Sequence, residues 1–176
     1  MRLRQTVPLL ESLLDQHRAV LGADYTAYRN HCCRVFHFAT VLGAAPADEE
    51  LLAIALAFHD LGIWTHGTLD YLGPSEQLAR DWLATQGRGQ DADRVAAMIV
   101  NHHKVSAFAG DALVEAMRRA DLVDVSLGLV RFGIPRDEVR AVQRLFPDAG
   151  FHWRLVQLTG RQLLRDPRHP LPMFRR

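Results

Sequence analysis

Residues 57–64 read AFHDLGIW, a His59-Asp60 pair set within an apolar run that begins at Leu51. An imidazole and a carboxylate buried together cost several kcal/mol unless something satisfies them, so the pair either hydrogen-bonds internally or holds a metal. The run before it reads as a helix. Gly43 through Pro46 end the preceding helix, and Asp48, Glu49 and Glu50 place carboxylates where a new helix N-terminus favours negative charge.

The helical period extends outward from this segment over nearly the whole chain. Leu9, Leu10, Leu13, Leu14 and Leu21 form one stripe, and Tyr28, Val35, Ala39 and Leu42 form the next. No alternating strand pattern of useful length occurs. Beyond the pair, a loop with Gly62, Gly67, Gly73 and Pro74 leads to Ser75, the expected N-cap of a helix over 76–85 closed by Gly87 and Gly89. Asp91 or Asp93 would cap the next helix, which runs to about 103. Further helices are expected over 111–128, 135–145 and 151–164. The tail over 166–176 carries three prolines and is expected to be extended. The reading is an all-α, single-domain helical bundle over residues 1–176.

The composition narrows the function. The chain has 176 residues, enough for one domain with a sizeable core, and 21 basic against 20 acidic residues give a net charge of +1. Such a balance argues against nucleic acid as a partner and for a small-molecule substrate. Cys32 and Cys33 are adjacent, and neighbours on a helix point about 100° apart, so no disulfide is expected between them. No stretch has some 18 uninterrupted apolar residues, and the N-terminal segment meets a charge by Glu11, so no membrane association is expected and the localisation reads as cytoplasmic.

Four elements carry chemistry. His31 lies three residues after Tyr28 and four before Val35, on the inward stripe of its helix. His59-Asp60 is the second element. His102 follows Ile99 by three and His103 follows it by four, so both can reach inward. Asp121 falls four after Met117 on a core-facing stripe, with Asp124 three further on. Alone, His31 would more often be a satisfied core histidine, and His102-His103 a favourable helix end. Together they place imidazoles and carboxylates from several helices in one core, a way to build a metal cage in a bundle. The donor set suits a divalent transition metal (iron, manganese, zinc, nickel or cobalt), and the absence of cysteine ligands argues against a structural thiolate zinc.

The ordered set His31, His59-Asp60 and Asp121 resembles the H…HD…D pattern of the HD-domain superfamily of metal-dependent phosphohydrolases. The resemblance covers about residues 24–130 and includes the contexts NHCCRV, AFHDLG, MIVNHH and RRADLVD. It implies a metal held by His31, His59, Asp60 and Asp121. In two-metal members Asp60 would bridge, with His102 and His103 looking like a segment for a second ion. The usual histidine after the doublet is missing. Asp70 is the nearest replacement and His66 a second candidate. Ile63 stands where nucleotidase members carry an acidic catalytic residue, so that subgroup's mechanism does not transfer.

Lys104, Arg34, Arg119 and Arg131 are the cations nearest these ligands in sequence and are the candidates for clamping a phosphate, Lys104 foremost. Asp124 would either orient a ligand histidine or act as a general base. The expected activity is hydrolysis of a small phosphoester or nucleotide by metal-activated water, with Asp60, Lys104 and Asp124 as catalytic groups and one ion, or two, bound. The rivals are a di-iron oxygenase, a mononuclear hydratase, and a degenerate HD module that binds a nucleotide or a partner without chemistry.

Overall fold

Tyr25–Val41 forms the central helix of the computed structural model, which describes residues 3–175. Every residue from Asn30 to Ala39 is buried, so this helix is enclosed rather than laid on a surface. Its polar side chains therefore need partners inside the protein. Asn30 Nδ2 donates to the Pro147 carbonyl at 2.8 Å, and His37 bonds the Cys33 carbonyl at 2.7 Å.

In chain order the helices are α1 (Pro8–Gln16), α2 (Arg18–Leu21), α3 (Tyr25–Val41), α4 (Glu49–Phe58), α5 (Gly62–Thr65), α6 (Leu72–Thr85), α7 (Ala92–Asn101), α8 (Ala112–Val125), α9 (Arg136–Leu145) and α10 (Phe151–Arg165). No strand occurs among the described residues, and the whole forms one all-helical bundle. The longest packed seam joins α3 to α8, with α4 and α7 beside them, α1 on α4 and α6 on α7. One main core runs from Val7 to Phe151, and a smaller cluster gathers Ile63, Leu69, Tyr71, Leu72 and Met173. None of the described helices is long and apolar enough to cross a membrane.

Three local expectations need correction. The helix expected over 76–85 starts at Leu72, so Ser75 lies within its first turns instead of capping it. Its hydroxyl accepts the Gly62 amide at 2.9 Å, which ties the start of α5 to α6. The helix expected over 111–128 ends at Val125, with Asp111 as its N-cap accepting from the Leu113 amide at 2.7 Å; Leu127 and Gly128 then turn left-handed. The tail is not simply extended. Pro172–Arg175 forms a 3-10 turn, and Met173 is buried in the smaller cluster.

Gly62 matters because α5 and α6 meet backbone to backbone there. A Cβ at Gly62 would lie 2.7 Å from the Tyr71 carbonyl oxygen and 3.0 Å from Ser75 Oγ, with no flexible side chain able to yield at the first. Gly62→Ala should lower unfolding free energy by about 1–3 kcal/mol in urea titrations, whereas Gly67→Ser, at an open left-handed turn, should cost less.

Candidate metal centre

Three histidines converge with their ring nitrogens already sorted. His59 Nδ1 lies 2.8 Å from the Leu56 carbonyl and His102 Nδ1 lies 2.7 Å from the Ile99 carbonyl, three residues back in each helix end. A carbonyl only accepts, so each Nδ1 carries a proton and each ring, when neutral, presents an Nε2 lone pair. His31 Nδ1 is fixed in the same way by Asp124 Oδ2 at 2.7 Å. His31 Nε2 and His59 Nε2 then face each other at 3.1 Å. All three rings are fully buried or nearly so.

Local structure accounts for the placement. The chain turns sharply after Phe58, and Tyr28 on α3 pins that turn: its hydroxyl accepts the Asp60 amide at 3.2 Å and lies 3.2 Å from the Ala57 carbonyl. Cys32 Sγ donates to the Leu56 carbonyl at 3.2 Å from the same helix. The end of α7 delivers His102 and His103 to the same level, and α8 supplies Asp121 and Asp124.

The carboxylates complete the cluster. Asp60 Oδ2 lies 3.3 Å from His59 Nε2 and 3.9 Å from His31 Nε2, while Asp60 Oδ1 lies 3.4 Å from His102 Nε2. Asp121 Oδ1 is 3.5 Å from His31 Nε2, and its Oδ2 is 3.8 Å from His103 Nδ1. Asp60 Oδ1 and His102 Nε2 are buried and make no hydrogen bond. Two such atoms, each able to donate an electron pair, fit a cation between them. The ligand atoms fall into triads, all within 4.8 Å of one another: His31, His59 and Asp121; His59, Asp60 and His102; His102, His103 and Asp121. The cluster can hold a metal, and the three triads overlap, sharing His59, His102 and Asp121.

The protonation equilibria have the same cause. Burial pushes His59 down to about 3, so its ring is neutral. Burial, reinforced by Asp60 and Asp124, raises Asp121 to about 6. Burial opposes charge on His102, but the Asp60 and Asp121 carboxylates outweigh it and raise its pKa. Asp124 is held at about 2: His31 and the Arg34 guanidinium overcome the burial that would raise it.

A cavity of about 360 Å³ ends on Asp60, His102, His103 and Asp121. Lys104 lines it. The other three cations require correction as substrate contacts. Arg34 is buried, its Nε and Nη2 donating to the two Asp124 oxygens at 2.6 and 2.9 Å and its Nη1 to the Phe146 carbonyl at 3.0 Å. Arg119 bonds Glu115 at 2.6 Å with its guanidinium over the Phe132 ring, and Arg131 does not line the cavity. With both oxygens engaged by Arg34 and His31, Asp124 is placed as the residue that orients His31 and not as a base facing substrate. Asp70 is exposed, and among the described residues it joins none of the ligand triads; His66 is exposed and bonds Thr65.

The loop that failed to supply Asp70 supplies its neighbour. Tyr71 is buried, lines the cavity and hydrogen-bonds His103 Nε2 at 2.6 Å. Its phenol is held well above its usual pKa by burial and by Asp60 and Asp121, so it stays protonated. Arg118 also lines the cavity, with Nε and Nη2 on Glu115 at 2.7 and 2.8 Å and Nη1 on the Lys104 carbonyl at 2.9 Å. Tyr71 stands next to Asp70, between Leu69 and Leu72, a weak sign of burial; no sequence signal separates Arg118 from Arg119.

Compared with protein-family models, curated proteins and solved structures, the chain matches none. The buried His/Asp cluster in an all-helical domain is compatible with an HD-like domain.

Asp124→Asn should weaken metal affinity about 10–100-fold in chelator competition, because His31 loses the partner that fixes its ring. Glu115 gives a pH test. The Arg118 guanidinium above all, with the Phe108 amide and Arg119, lowers its carboxyl from 4.5 to about 2. That stabilisation is fully present above pH 4.5 and is lost as pH falls towards 2. Glu115→Gln should therefore cost roughly 2 kcal/mol at neutral pH, and its gap from the parent should close on acidification, as read in denaturant titrations.

Proposed function

We propose that this chain is an HD-type metal-dependent hydrolase, and within that class a phosphohydrolase acting on a small phosphoester. The observation that carries the proposal is the set of Nε2 lone pairs of His31, His59 and His102 converging on Asp60 and Asp121 at the end of a cavity. His31, His59, Asp60 and Asp121 would hold one ion. His102 and His103, with Asp60 or Asp121, would hold a second. A bound divalent ion supplies acidity to water and polarises a phosphoryl oxygen.

The residues of the chain do the rest. Water oxygen bonds to phosphorus, the ester P–O bond breaks, and a water proton ends on the departing alcohol, giving inorganic phosphate. Lys104, exposed along the cavity wall, would neutralise charge on the phosphoryl oxygens. Tyr71, protonated and buried at the cavity wall, orients His103. Asp60, through its two oxygens aimed at different histidines, ties both ligand groups together.

The third triad supports one other reading. His102, His103 and Asp121 furnish a further ligand group without Asp70. Two irons there would favour oxygen-dependent oxidation over hydrolysis.

Elemental analysis of protein purified without chelators should give one or two metal ions per chain, and His59→Ala should abolish them with the helical circular dichroism retained. With manganese bound, the parent should release phosphate from phosphomonoesters. Iron with oxygen uptake on a small organic substrate would transfer the proposal to the oxygenase class, and a metal-free parent that still binds small ligands would leave a binding module.

A further inference from the structure

The cavity that ends on the cluster is polar at one end only. Beyond Asp60, His102, His103 and Asp121, its walls are largely apolar: Ile63 and Leu69 at α5 and the loop after it, Leu122 and Val125 on α8, Phe151 and Leu155 on α10, and the tail, whose Phe174 ring lies 5.2 Å from that of His103. The polar groups along these walls are few, and several are already engaged. Arg118 spends its guanidinium on Glu115 and the Lys104 carbonyl, and Tyr71 bonds His103. Thr159 remains, with Lys104, whose ammonium lies 5.5 Å from the centre of the Phe108 ring.

Resting on the hydrolase reading, we propose that the substrate is a phosphomonoester of an apolar alcohol, alkyl or aryl, whose phosphate reaches the His/Asp cluster and Lys104 while its hydrocarbon body lies between α8, α10 and the tail. A nucleotide fits these walls poorly. Its base edges and ribose hydroxyls would enter a space with almost no partners, and each unpaired buried group weakens binding by about tenfold or more. An apolar body gains instead, about fourfold for each methylene withdrawn from water. At about 30 Å³ per water-sized group, 360 Å³ holds roughly a dozen such groups. The phosphate head takes four or five, which leaves room for a phenyl ring or a chain of about six to eight carbons.

The test measures binding and turnover separately on the full-length, manganese-loaded protein. Binding uses non-hydrolysable phosphonates, methylphosphonate against octylphosphonate, with adenosine monophosphate as the nucleotide, by calorimetry. Turnover uses methyl to octyl phosphates by phosphate release. Octylphosphonate should bind at least about fiftyfold more tightly than methylphosphonate, the yield of some three buried methylenes, and the nucleotide should bind no better than methylphosphonate. Leu122→Gln and Phe174→Gln, at partly exposed positions that should still fold, should flatten the chain-length dependence. A flat series in the parent, or tighter binding of the nucleotide, overturns the inference even if esters are hydrolysed. A steep binding series without turnover of any ester upholds the apolar pocket and removes the hydrolase reading beneath it.

Discussion

The arrangement depends on which nitrogen of each histidine carries its hydrogen. By committing Nδ1 of His59 and His102 to carbonyls one helical turn back, the ends of α4 and α7 fix both rings and leave Nε2 bare. His31 is fixed instead by a carboxylate from a neighbouring helix, Asp124 on α8. Much of the bundle serves this convergence. α3 must be enclosed to aim His31 inward, α4 and α7 must end at one level, and Tyr28 must hold the turn at Asp60.

Charge balance explains why the centre asks for a divalent cation. Asp60, Asp121 and Asp124 are buried together, and among the described residues Arg34 is the one guanidinium bonded to any of them. Three carboxylates against one guanidinium leave two negative charges in a medium that tolerates none unpaired. With no ion, protons are the remaining remedy, and the pKa values of His102 and Asp121 rise accordingly. A divalent ion would supply the same charge without protonating the ligands. Arg34 compensates Asp124 alone, which keeps that carboxylate ionised and able to hold His31 while the others stay open to the ion.

Much of this was readable in the sequence, for a physical reason. Helical spacing decides which residues share a face, so His31, His102 and Asp121 could be turned inward from Tyr28, Ile99 and Met117 without knowing where the helices pack. Spacing does not tell which partner a long side chain will find. Arg34 stood beside Lys104 among the candidate phosphate ligands, and only the fold shows Arg34 spent on Asp124. The loop after the doublet failed for a related reason. Asp70 and Tyr71 are adjacent and point apart, and the close contact of Gly62 with the Tyr71 carbonyl decides which of them faces the centre. The cavity walls were least legible, since Phe151, Leu155 and Phe174 are far along the chain from the motif and belong to no spacing rule that includes it.

That separation has a functional meaning. The ligands lie on α3 and α8 and just past the ends of α4 and α7, among deeply buried helices, where a shift of any one would disturb all. The pocket walls come in large part from α10 and the tail, of which only Phe151 among α10 residues is buried. Phe151 is also the residue that joins the two regions, its ring stacked on His31 at 4.0 Å while it lines the cavity. Peripheral elements can change without unmaking the core, so substitutions in α10 and the tail can retune the body of the substrate while the chemistry at its head stays the same. An apolar wall above a fixed metal-ligand set is one setting of that division, in which the head is held by charge and the rest by exclusion of water.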